Sequence, residues 1–151
     1  MTKNNIFATV KSEMKAAMVA RDKDRLNAIR LILAEFKRIE VDERIKLGDE
    51  RALTVLDRML KQRKDSLGQY QNAQREDLAE KERFEINVIR EFLPEPMTRD
   101  EIDSLIAEAF DHIGESNIQA MGKIINFLKP KTLGRADIAL VSQLVKSKLM
   151  G

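Results

Sequence analysis

DERALTVLDRMLKQRKDSLGQYQNAQREDLAEKERFEINVIREFL, residues 49–93, contains no proline and one glycine, Gly68. Its apolar positions Leu53, Leu56, Met59, Leu60, Leu67, Tyr70, Leu78, Ile86, Ile89 and Leu93 recur mostly three and four residues apart, the spacing of one helical face. A single helix over this stretch is about 66 Å long at 1.5 Å per residue, well beyond the ordinary helix of roughly 8 to 20 residues. The stretch therefore predicts two helices or one kinked helix, broken between Gly68 and Asp77. Gly68 supplies the glycine penalty there, and Asn72 offers a cap for a second helix.

Upstream, Ile6, Phe7, Val10, Met14, Ala17 and Met18 predict a first helix from about Asn4 to Ala20. Asp22 or Asp24 is placed to cap the next helix, whose buried face is Leu26, Ile29, Ile32, Leu33, Phe36 and Ile39. The short link makes these two helices antiparallel neighbours. Val41 to Gly48 reads as a connection, with Asp49 near the N-cap of the long element. Downstream, Leu93-Pro94-Glu95-Pro96-Met97 halts the helix near Phe92 or Leu93, because each proline drives its predecessor out of the helical region.

That interruption divides the chain into a helical bundle over 1–93, a proline-containing linker over 94–97 and a small three-helix tail over 98–151. Thr98 and Glu101 have capping-box spacing ahead of Ile102, Leu105, Ile106, Ala109 and Phe110, and Gly114 is the stop. Ser116 and Gln119 repeat the capping pattern ahead of Ile118, Met121, Ile124, Ile125 and Leu128, with Pro130 closing that helix. A last helix from Asp137 buries Ile138, Val141, Leu144, Val145 and Leu149. The fold class is all-α.

The chain has 151 residues, 43% hydrophobic and 34% charged, a globular balance. No segment reaches the 18 or so apolar residues of a membrane span, and the N-terminus lacks a secretory apolar core. No cysteine is present, which excludes disulfides, thiolate nucleophiles and cysteine-held metals. A cytoplasmic protein is expected, with no membrane association. The net charge of +2 hides an asymmetry: residues 1–93 carry 20 Lys and Arg against 17 Asp and Glu, and residues 94–151 carry 7 against 8. Within the latter, residues 123–148 hold six basic residues against Asp137 alone. A local basic face of this kind attracts nucleic acid, although a solvated surface is the ordinary reading.

Between the last two tail helices, Lys129-Pro130-Lys131-Thr132-Leu133-Gly134-Arg135-Ala136-Asp137 projects charge from a restrained turn. Lysine tracks phosphate as a point charge, and arginine contacts it bidentately or stacks on a base. A purely structural turn in which Arg135 pairs Asp137 or caps a terminus accounts for the same residues. On the long element, Arg51, Arg58, Lys61, Arg63 and Lys64 alternate with Asp57 and Asp65, as a solvated face does. Lys61, Arg63, Lys64 and Arg75 are the candidates there for a partner surface. Asp77, Glu80, Glu82 and Glu85 are assigned to capping and surface pairing rather than to a metal or proton-transfer site, because helical spacing does not converge them.

MGKIINFLKP over 121–130 and GRAD over 134–137, following FLP over 92–94, resemble the YqeY family and the tail of the B subunit of aspartyl/glutamyl-tRNA amidotransferase, GatB. RLNAIRLILAEFKRIE over 25–40, KQRKDS over 61–66 and REDLAEKE over 75–82 are similar to the stand-alone YqeY proteins as well. The resemblance implies a larger helical domain followed by a helical tail that, in the amidotransferase, helps hold transfer RNA. Carried over, it makes Lys123, Lys129, Lys131 and Arg135 the candidates for RNA contact. Gly122 and Gly134 then serve close packing and turn geometry, Pro130 stiffens the turn, and Asp137 caps the final segment.

The catalytic body of the amidotransferase subunit has no counterpart here. No glycine-rich phosphate cradle, histidine metal cluster or nucleophile with a histidine base is present, and His112 is the single histidine, read as hydrogen-bonding at the surface or between helices. No catalytic residue, metal or cofactor is nominated. The leading expectation is a noncatalytic tRNA-binding or tRNA-associated accessory protein in translation. The alternative is a helical adaptor for an aminoacyl-tRNA amidotransferase or another translation protein, with intrinsic amidotransferase activity a remote third.

Overall fold

A computed structural model describes residues 5–151. Every regular element among them is helical: α1 (Ile6–Ala20), α2 (Lys23–Glu43), α3 (Asp49–Asn72), α4 (Glu76–Glu91), α5 (Arg99–Ile113), a 3-10 turn (Ile118–Ala120), α6 (Met121–Thr132) and α7 (Ile138–Met150). The chain is all-α. It forms two compact units, Met1–Pro94 and Glu95–Gly151.

The long periodic stretch is a pair of packed helices, α3 and α4. Gly68 lies inside α3. The break is made instead at Gln74, whose φ of 59° turns the chain left-handed, while the Arg75 amide donates back to the Tyr70 carbonyl at 2.9 Å. Asn72 therefore ends α3 and does not cap α4. Arg75 takes the N-cap position without a side-chain bond, and the acids Glu76 and Asp77 fill the first turn, where the helix dipole favours them.

Around this pair, Val10 and Ala17 of α1, Ile29, Ile32, Phe36 and Ile39 of α2, Ala52, Val55, Leu56 and Met59 of α3, and Val88 and Ile89 of α4 form one core. Arg25 ties three helices at its edge, donating to Glu13 of α1 at 2.9 Å and to both oxygens of Glu91 of α4 at 2.7 and 2.9 Å. Several local expectations are corrected. Helix α2 continues to Glu43, so Val41–Glu43 are helical, and Arg44 in the left-handed region ends it. Asp49 does stand beside the N-cap of α3, Gly48, but its carboxylate accepts from the Ile6 amide at 2.8 Å and so caps α1 from across the bundle. Met18 is half exposed, one position past the buried stripe. Asn4 lies outside the described residues.

Glu82 and Glu85 are the larger surprise. Expected at the surface, both are buried on the face of α4 that meets α3, where Arg63 reaches them at 3.4 and 3.6 Å. Burial pushes the Glu85 carboxyl above its ordinary value; Arg63 opposes that shift and Glu82 adds to it. Three residues apart on one helix, the two carboxylates do converge, because the facing helix supplies a shared guanidinium.

In the second unit, Ile102, Ile106 and Ala109 of α5, Ala120 of the 3-10 turn, Ile124 and Leu128 of α6, and Val141 and Val145 of α7 enclose a separate core. The Thr98–Glu101 capping box forms as spaced, and Gly114 closes α5 at φ 74°. The Ser116–Gln119 box does not form. Asn117 instead accepts from the Ala120 amide at 3.1 Å and starts the 3-10 turn that leads into α6. Leu144 and Leu149 are half-buried, and the β-branched Val141 and Val145 fill that face. No helix among the described residues is long and apolar enough to cross a membrane.

Candidate nucleic-acid interface

Helix α6 forms because Ile124 and Leu128, four residues apart, are both wholly buried. Its end differs from expectation. Pro130 lies within the last turn and does not close the helix, which continues to Thr132. The missing proline N–H leaves the Asn126 carbonyl unpaired within the helix, tolerable because Asn126 is exposed to water. Thr132 is buried, and its hydroxyl donates to the Leu128 carbonyl at 3.0 Å, holding the final turn. The chain then leaves the helix at Leu133 and turns at Gly134, whose φ of 74° suits a residue without Cβ. Asp137 accepts from the Ala139 amide at 3.0 Å and caps α7.

Arg135 is committed within this unit. Its Nε donates to the Glu95 carbonyl at 2.8 Å and its Nη2 to Glu101 at 3.3 Å, while its own carbonyl accepts from the Met97 amide at 2.9 Å. It clamps the turn to the strap before α5. Glu101, bonded first by the capping contacts with Thr98 and also by Arg135, is held below the ordinary carboxylate range. The pairing anticipated with Asp137 is replaced by one with Glu101. Gly122 is not needed for close packing: a Cβ there meets nothing within 4 Å.

The three lysines divide by helical phase. At about 100° per residue, Lys123 and Lys131 lie about 80° apart, whereas Lys129 falls about 160° from Lys131. Lys123 and Lys131 share a stripe with Phe127 between them; Lys129 points elsewhere. Lys123 pairs with Glu115 at 2.7 Å, an exposed contact that exchanges readily. The Lys131 ammonium stands 4.9 Å from the Phe127 ring centroid. On the neighbouring helix the exposed His112 packs its ring on Phe127, centroids 4.7 Å apart and planes tilted by 32°. Thus α5 and α6 present a cation, a half-buried aromatic, a second cation and an exposed imidazole together. Among the described residues, no carboxylate pairs with Lys129, Lys131, Lys146 or Lys148.

Sequence reasoning missed Phe127 and His112 as members of this surface. The i, i+4, i+8 order of Lys123, Phe127 and Lys131 was a legible signal for the first. The histidine required knowledge of which helix packs alongside.

On the bundle the proposed partner surface is dispersed. Arg63 is engaged with the buried glutamates and is unavailable as a free surface cation. Lys61 lies 3.5 Å from Asp57, Arg75 pairs with Asp77 at 3.1 Å, and Lys64 is exposed. A groove of about 830 Å³ lies between α2 and α4, with the exposed Leu31 and Phe84 on its walls and Glu85 at its lining. Among the described residues, no three metal-ligating side chains converge.

A model of the Yqey-like protein family matches residues 7–149. The chain is similar to "altered inheritance of mitochondria protein 41, mitochondrial" of Kluyveromyces lactis, 35% identical over 127 residues, covering 78% of this chain and 68% of that protein. The Candida glabrata protein of the same name is 39% identical over 94 residues, covering 61% of this chain and 52% of its own. A Saccharomyces cerevisiae counterpart is 29% identical over 147 residues, covering 91% and 80%. The mitochondrial location in these names corrects the cytoplasmic expectation. Composition had no power to decide the compartment, since a cysteine-free helical protein without a secretory core suits either.

Proposed function

This chain belongs to the Yqey-like protein family, and on that premise we propose that it is a noncatalytic, tRNA-associated accessory protein of translation that docks RNA on the α5–α6 face of its tail. One observation carries the reading: Lys123 and Lys131 flank Phe127 on a single stripe, beside the exposed ring of His112. Cations that track phosphates, interleaved with rings that accept bases, are the elements of a surface for unpaired or folded RNA. Arg135 is a positioning residue here. It holds the turn and the start of α5, and Lys129, Lys146 and Lys148 add long-range attraction. The relatives' names support a mitochondrial setting.

Equilibrium binding to folded tRNA, titrated against salt beside duplex DNA of similar length, tests the proposal. The Lys123→Gln/Lys131→Gln variant should bind more weakly, with its log–log salt slope reduced by roughly one per lysine removed. Unchanged affinity and slope would remove the stripe from the interface.

A second reading, a protein adaptor in translation, is favoured by the α2–α4 groove, where Leu31 and Phe84 leave apolar surface open. It predicts that Phe84→Ser abolishes capture of a translation partner and leaves tRNA affinity intact, a distinction that parallel titrations resolve.

A further inference from the structure

We propose that His112 and Phe127 form a stacking platform for one unpaired RNA base, with Lys123 and Lys131 holding the phosphates on either side of it; this rests on the RNA-binding reading above and specifies its ligand. The two rings are packed at 4.7 Å, yet His112 remains exposed, which leaves imidazole surface to receive a third ring. The Lys131 ammonium against Phe127 makes the column a cation–aromatic stack, favourable to the electron-rich face of a base.

Spacing along α6 selects a strand rather than a free nucleobase. Lys123 and Lys131 are eight residues apart, roughly 12 Å along the axis, with Phe127 midway. The two side chains thus branch from α6 on either side of Phe127, Lys131 folding back over its ring, and reach the backbone that enters and leaves a base held there. On α5, Glu108 precedes His112 by one turn and repels phosphate there, while Lys123 must exchange its exposed pairing with Glu115 for a phosphate. A base inside a duplex has both faces covered by its neighbours, so the platform takes a nucleotide from a loop, bulge or strand end.

The test uses the full-length protein with single-stranded hexa-adenylate carrying one 2-aminopurine, compared with an abasic ribose-phosphate strand of equal length and with folded tRNA. The base-bearing strand should bind about ten-fold more tightly than the abasic one, with quenching of the 2-aminopurine on binding. His112→Ala should abolish both effects. Phe127→Leu, which keeps an apolar side chain against α5, should do the same with its helical circular dichroism retained, and Lys129→Gln should retain the preference. Equal binding of the two strands, or a preference that survives both ring substitutions, overturns the platform. If tRNA still binds in a salt-dependent manner in that case, the RNA-binding reading stands without it; if tRNA does not bind either, both fall.

Discussion

At the scale of single residues, the same side-chain types take opposite roles according to what faces them. Glu85 and Glu101 are both glutamates on helices, yet burial raises the proton affinity of the first, whereas capping and Arg135 lower that of the second. Their pH effects have opposite signs. Glu101 holds its proton less tightly folded than unfolded, so its contribution is present above the ordinary value of 4.5 and is lost as pH falls through its depressed folded value. Glu85 holds its proton more tightly folded, so stability falls as pH rises from 4.5 through its raised folded value. Urea unfolding of the wild type and Glu85→Gln at a series of pH values rising from the ordinary 4.5 should therefore show the variant gaining on the wild type as pH rises; a constant difference would mean that Glu85 does not titrate differently on folding. The capping box was legible in Thr98-Arg99-Asp100-Glu101 because both partners lie within one turn. Thr98→Ala should cost about 1 kcal/mol, read from the same unfolding curves.

At the scale of elements, the helix faces were read from periodicity, and the errors fall at the ends. Three helix or hairpin ends place a non-glycine residue at positive φ: Arg21, Arg44 and Gln74. No glycine marks any of these reversals, so the expected end of α2 falls short of Glu43, and the α3–α4 break, which does fall between Gly68 and Asp77, is made by Gln74 without help from Gly68. Each left-handed residue with a Cβ carries a backbone cost of about 1 to 2 kcal/mol. Arg44→Gly should accordingly stabilise the protein by about 1 kcal/mol, net of the extra freedom of the unfolded chain, and a lower urea midpoint would refute that account. In α6, Leu128 is wholly buried between α5 and α7, so Leu128→Ala should cost about 2 to 5 kcal/mol. Leu144, half-buried on α7, should lose less on the same truncation.

At the scale of the whole molecule, the two apolar clusters share no buried residue. Hydrogen exchange should therefore quicken in the amides of 95–151 on Leu128→Ala and leave α1 to α4 unchanged, with Leu56→Ala acting in reverse; a loss of protection in both units from either change would show one cooperative core. The sequence by itself determined the all-α class, the stripes of Ile29, Ile32, Phe36 and Ile124, Leu128, the capping box and the glycine turns at Gly114 and Gly134. All of these depend on residues within a turn or two of one another, where spacing along the chain is spacing in space. Only the tertiary structure decided that Asp49 caps α1, that Glu82 and Glu85 are buried over Arg63, that Arg135 clamps Glu95 and Glu101, and that His112 lies on Phe127. Each joins residues on different elements, and the partner of a charge or ring is set by which helix packs beside it and at what phase, a quantity that periodicity within one helix does not contain.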